Sequence, residues 1–147
     1  MLIVTAVSGI LVALVVFAYL TAALIFDQEL RRSDVFWAGQ QAAKTMTEEL
    51  KKCLAVTDPQ ANRITFWWRD VDGDSSLEAS ELITYAVSSE SLLEISSSGS
   101  RGLANHVRAL NFTYDDTTGP KFVAVTLTLS NESGPLTIES SAWIRNE

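Results

Sequence analysis

Residues 1–26, MLIVTAVSGILVALVVFAYLTAALIF, contain no Asp, Glu, Lys, Arg or His. As a helix rising ~1.5 Å per residue, such a run is nearly 40 Å long and exceeds a hydrocarbon core of roughly 30 Å. Small and β-branched residues run all round it, so no face is polar, which suits lipid or the core of a helical bundle. A secretory signal peptide would carry a basic n-region, a shorter apolar run and a small-residue cleavage site, none of which is seen. The segment is therefore expected to stay in the working protein. Its nearest basic pair, Arg31 and Arg32, lies on the C-terminal side. Read literally, the positive-inside rule leaves the rest of the chain in the cytoplasm. The alternative expectation is a basic leader that preceded Met1, set the opposite orientation and was removed.

The helix is expected to continue to residue 54. No proline interrupts Asp27 to Leu54, and Gly39 is the one poor helix former. Val35, Gly39, Ala42, Met46, Leu50 and Cys53 recur at steps of three and four and form one apolar stripe. Three parts follow: an apolar helix half (1–26), an amphipathic half (27–54) and a β domain (55–147). Charge divides with them. The net charge of -7 lies wholly in residues 54–147, which hold 13 acidic and 6 basic side chains. An acidic outer domain argues against nucleic acid and anionic lipid, which need clustered Lys and Arg. Cys53 is the only cysteine, so no disulfide forms within the chain.

The remainder reads as antiparallel sheet. RITFWWR (63–69) puts Ile64, Phe66 and Trp68 on one face, with ELITYAVS (81–88) as the next strand. Leu92 to Ile95 is a further strand, SSSGSRG reads as a flexible loop, and 103–109 as a helical turn or irregular chain. Leu110, Phe112 and Tyr114 alternate, as do Val123 to Leu129 and Leu136 to Ile144. The expected class is α+β, a long N-terminal helix packed on an antiparallel meander of about five or six strands.

An apolar helix continuing as an amphipathic one and ending in a β-meander resembles the type IV pilin and pseudopilin superfamily. ITFWWRDVDGD, ELITYAV, LANHVRALNFTYDD, VAVTLTLS and WIRN are most similar to the J-type minor pseudopilins of type II secretion and related minor pilins. The resemblance implies a type IV pilin fold and prepilin processing that methylates Met1. It also implies assembly with other pilin or pseudopilin subunits into a pilus or secretion pseudopilus. The chain would be a single-pass protein of the inner (cytoplasmic) membrane before assembly and a periplasmic or extracellular filament at the cell surface afterwards. Most of that family carries a glutamate at the fifth mature position, where this chain has Thr5. A hydroxyl cannot neutralise an amine charge within a bundle, so a filament-tip position or an archaeal-type assembly stands open.

DVDGDSSLEASE (70–81) is one residue from the calcium-loop pattern D-x-[DN]-x-[DN]-G-x₅-E. Asp70, Asp72 and Asp74 take positions 1, 3 and 5, Ser76 offers a carbonyl at 7, Glu78 takes 9 and Glu81 the bidentate position 12. Ser75 stands where the pattern has glycine, with Gly73 expected to relieve the turn. A calcium loop and a solvated acidic hairpin both remain open. Asn131 starts a glycosylation sequon in a turn; a second, at Asn111, falls within a strand. His106 has no nucleophile arranged around it, no phosphate loop, CxxC or HExxH occurs, and no enzyme is expected. The alternative function is a single-pass, membrane-anchored calcium-binding module that does not polymerise.

Overall fold

The computed structural model describes residues 2–131 and 134–144, with side chains from residue 9. One helix, α1, runs Leu2–Lys52, and eight strands follow among the described residues. They are β1 (Ala55–Pro59), β2 (Arg63–Trp67), β3 (Leu82–Ser88), β4 (Ser91–Ser96), β5 (Gly99–Asn105), β6 (Val107–Tyr114), β7 (Phe122–Leu129) and β8 (Leu136–Trp143). Every strand pairs antiparallel with its predecessor inside two sheets, β1-β2-β3-β4-β5 and β6-β7-β8. The α+β class holds, as one long N-terminal helix followed by antiparallel sheet, and each sheet is a meander.

The strands exceed the expected number because two stretches with weak local signals are strands. Ala55–Pro59, which carries no alternating apolar pattern, pairs with β2 across an irregularity between Val56 and Asp58. A bulge there lets Asp58-Pro59 close a strand that needs no further donor. SSSGSRG holds the turn of the β4–β5 hairpin and the start of β5, with Ser96 opposite Gly99 and Ile95 opposite Ser100. Gly99 (φ 131) takes a backbone conformation open to glycine, so the composition that reads as a loop builds a reversal. Residues 103–109 are neither helical nor irregular. They end β5, pass through exposed His106 in the left-handed region (φ 61) and begin β6, and that kink separates the two sheets.

Two compact units divide the chain, residues 1–34 and 35–147. In the second unit the stripe reads as its spacing implies: Gly39, Ala42, Met46, Leu50 and Cys53 are buried and Val35 half-buried. The stripe lies over the inner faces of both sheets. Ile64, Phe66 and Tyr85 come from the first sheet, and Leu110, Phe112, Val125, Leu127, Leu129 and Ile138 from the second. Period-2 burial along β7 (Val123, Val125, Leu127, Leu129 inward) is what a strand covered on one face requires. Polar bonds register the helix on this layer: the Thr47 and Ser140 hydroxyls lie 2.7 Å apart, and the Tyr85 hydroxyl donates to Glu49. The sheets are joined where the Phe112 amide donates to the Ala61 carbonyl (2.7 Å) and Val107 to Glu90 (2.8 Å).

Gly39 is the closest approach. A Cβ placed there would lie 2.3 Å from Leu129 Cδ1 and 2.7 Å from Ile138 Cδ1. Both partners sit in the core and can yield only by displacing their neighbours. Alanine gains about 1 kcal/mol over glycine in helix propensity, whereas overpacking costs about 1–3 kcal/mol. Gly39→Ala is therefore expected to destabilise the detergent-solubilised protein by about 1 kcal/mol net and lower its Tm by a few degrees. An unchanged or raised Tm would show that the helix is less tightly seated than this geometry requires.

Candidate functional site

Three places carry chemistry: the acidic loop, the polar cluster under the helix, and the apolar surface of the first unit.

The acidic loop leaves β2 through the half-buried Trp68, whose amide donates to the Glu81 carbonyl (3.0 Å), and a single 3-10 turn, Ala79–Glu81, returns the chain to β3. Asp70 organises it. Its two oxygens accept from the amides of Gly73 (2.7 Å) and Ser75 (2.8 Å), while Asp72 accepts from Asp74 (3.3 Å) and Asp74 from Ser76 (2.7 Å). These bonds, chiefly that from Ser75, hold the Asp70 carboxyl below the usual carboxylate range. One oxygen from each of Asp70, Asp72 and Asp74 lies within 4.8 Å of the others, a spacing one cation can bridge.

The remaining loop positions divide. Gly73 does not spare its neighbour: it takes φ 78 and Ser75 itself takes φ 58, the conformation a glycine supplies at position 6 of a calcium loop. The residue departs from the pattern and the backbone does not. Ser76 and Glu78 are exposed, and Glu78 accepts from the Ser80 hydroxyl at 3.1 Å. Glu81 is buried, and both its oxygens are engaged, one by Trp67 Nε1 at 2.8 Å and the other by the Val71 amide. Glu81 thus braces the loop against the sheet, outside the three-aspartate cluster. Asn131 is half-buried, and the two residues that complete its sequon lie outside the described residues. Met1 lies outside the described residues, and Thr5 lies in α1 where side chains are not described.

Beneath the helix, Glu49 meets the first sheet. Fully buried Tyr85 donates to it, Arg101 Nη2 lies 3.9 Å away, and the same guanidinium pairs with Glu94. Sequence reading missed this cluster, because Glu49 is 36 positions from Tyr85 and stands beside the apolar stripe rather than in it. Burial raises the Glu49 carboxyl above its ordinary value, and the Glu94 carboxylate opposite adds to the rise. Burial, then the bond to Glu49, pushes the Tyr85 phenol up as well. Cys53 is buried with its thiol donating to the Leu50 carbonyl (3.2 Å), and burial pushes its pKa up to about 12. That thiol is inert at neutral pH.

In the first unit every residue from Gly9 to Phe26 is exposed, including Phe17 (70%) and Leu24 (68%). The Thr21 hydroxyl donates back to the Phe17 carbonyl at 2.9 Å, so that polar atom is satisfied within the helix, as an apolar surrounding demands. The apolar run ends at an Asp27–Arg31 pair (3.0 Å). By length and composition this helix can cross a membrane. Compared with known families, the chain matches none, and no curated protein matches it either.

A carboxyl whose folded pKa lies above its unfolded value stabilises the fold below the unfolded pKa and loses that contribution as pH rises through the folded one. Glu49 has this sign. Glu49→Gln keeps an oxygen to accept from Tyr85 and removes the buried charge. Denaturant unfolding of the parent is expected to lose stability from the ordinary carboxylate pKa upward through the raised one. Glu49→Gln should flatten that slope and be at least as stable as the parent at pH 7. A variant that is clearly weaker at pH 7 would mean that attraction to Arg101 outweighs the cost of burial.

Proposed function

We propose that the chain is a structural subunit of a type IV pilus-like filament or secretion pseudopilus, held in a membrane before assembly and packed helix against helix afterwards. One observation carries the reading: α1 supplies the core stripe of the β domain and, nearer its N-terminus, an apolar surface that is exposed from Gly9 to Phe26 among the described residues. Apolar surface on this scale needs lipid or protein around it. A long N-terminal helix whose second half packs on antiparallel sheet is compatible with a pilin-like fold. Ala13, Ala18, Ala22 and Ala23 permit close helix approach within a bundle. In this reading the acidic β domain is displayed outward and contacts other subunits, and the protein performs no catalysis.

The buried, unreactive Cys53 gives a clean background for testing it. Single cysteines at Val16 and at Leu24, combined in one chain and oxidised in native membranes, are expected to give a ladder of cross-linked species beyond dimer. Electron microscopy of sheared material should show filaments. Monomer alone, with no filaments, would favour a plain single-pass anchor.

A second reading, a membrane-anchored calcium-binding module, is favoured by the three-aspartate cluster together with the left-handed backbone at Ser75. Millimolar calcium is then expected to raise the Tm by several degrees, an effect lost in Asp72→Ala combined with Asp74→Ala. An equal Tm with calcium and with EDTA would leave the loop as a self-bonded acidic hairpin.

A further inference from the structure

The solvent face of the second sheet carries mostly uncharged side chains. Antiparallel register aligns its outward side chains in rows: Thr113–Ala124–Ser141, then Asn111–Thr126–Glu139. At the end of the face, beyond the first row, stand Phe122 and Trp143, paired across β7 and β8 with ring centroids 5.0 Å apart and planes inclined at 55°. Trp143 is 67% exposed on the edge strand, and Phe122 is half-buried beside it. Same-face positions repeat every ~6.7 Å along a strand and every ~4.8 Å across strands, so hydroxyls and an amide continue outward from the aromatic pair as a lattice of donors and acceptors.

We infer that this face binds a neutral polysaccharide chain, one sugar ring stacking on Trp143 and Phe122 and its neighbours hydrogen-bonding along the Thr113 and Asn111 rows. Charge selects the occupant. The two rows hold one ionised group, Glu139, and no cation, in a chain of net charge -7. Nucleic acid and anionic lipid need clustered cations, which these positions lack. A protein partner needs about 800 Å² per side with a desolvated apolar centre, whereas here the apolar part is confined to one end and the rest is hydroxyl and amide. A neutral glycan matches both parts: the C–H faces of its rings suit an exposed aromatic platform, and its hydroxyls pair with groups that both donate and accept. The inference stands whether or not the helix polymerises.

The test uses the full-length protein in a detergent without a sugar headgroup, titrated separately with cellohexaose, chitohexaose and maltohexaose. The readouts are tryptophan fluorescence and calorimetry. At least one hexasaccharide is expected to bind saturably, with an affinity that hardly changes between 50 and 500 mM salt. Trp143→Ala should weaken it by about tenfold or more while leaving the Tm within a few degrees, since the side chain is exposed. Trp37→Ala, on the helix, should bind as the parent does. The inference is overturned if none of the three binds, if Trp143→Ala binds as tightly as the parent, or if affinity falls steeply with salt.

Discussion

The fold depends on one seam, the apolar stripe of α1 from Gly39 to Cys53 laid across two sheets that hydrogen-bond to each other at only a few points. A three-stranded and a five-stranded antiparallel sheet, each solvated on one face, would bury little alone. Met46, Leu50, Phe66, Tyr85, Leu127 and Leu129 are fully buried because the helix closes the layer above them. Gly39 sets how near the helix axis can come, and the Thr47–Ser140 and Glu49–Tyr85 bonds fix its register, one on each sheet. Losing the seam would expose both inner faces together. The cooperative unit is thus the sheets plus the second half of the helix.

Much of this arrangement is written in periodicity. Val35 to Cys53 repeat at 3.6 with no proline, and Val123 to Leu129 repeat at 2. Those patterns require a helix stripe and a half-buried strand whatever surrounds them. The missed elements lack a local signal. Asp58-Pro59 has the chemistry of a turn and sits in β1 because a bulge absorbs it. The glycines and serines of β5 have low strand propensity and are held by pairing with Leu92 to Ser96. The division into two sheets hangs on His106, and the β3–β4 reversal on Ser89 and Glu90 (φ 49 and 61). None of these is a glycine, so tertiary contacts impose a backbone that composition does not announce.

The acidic loop divides in the same way. Three aspartates at alternate positions promise carboxylates that meet, and Asp70, Asp72 and Asp74 do. Glu81, alike in chemistry, is drawn to Trp67 and Val71 because it stands next to the start of a strand, and no spacing rule foresees an indole fourteen positions upstream in the loop's own stem. The Glu49 cluster was illegible for a related reason. Its members come from the helix and from three strands, and only the folded register brings them together.

Sequential strand pairing has a consequence for the order in which the molecule is made. Each strand finds its partner in the segment just synthesised, so both meanders close short loops and assemble quickly. The helix is the reverse case. It emerges first, yet the hydroxyl that meets Thr47 belongs to β8, 93 residues later, as does the Ile138 that caps Gly39. For most of its synthesis the chain therefore carries an apolar stripe with no cover, beside a segment already suited to lipid. The stripe is covered only when the last strand arrives, so the contact of longest sequence separation is the one that closes the fold.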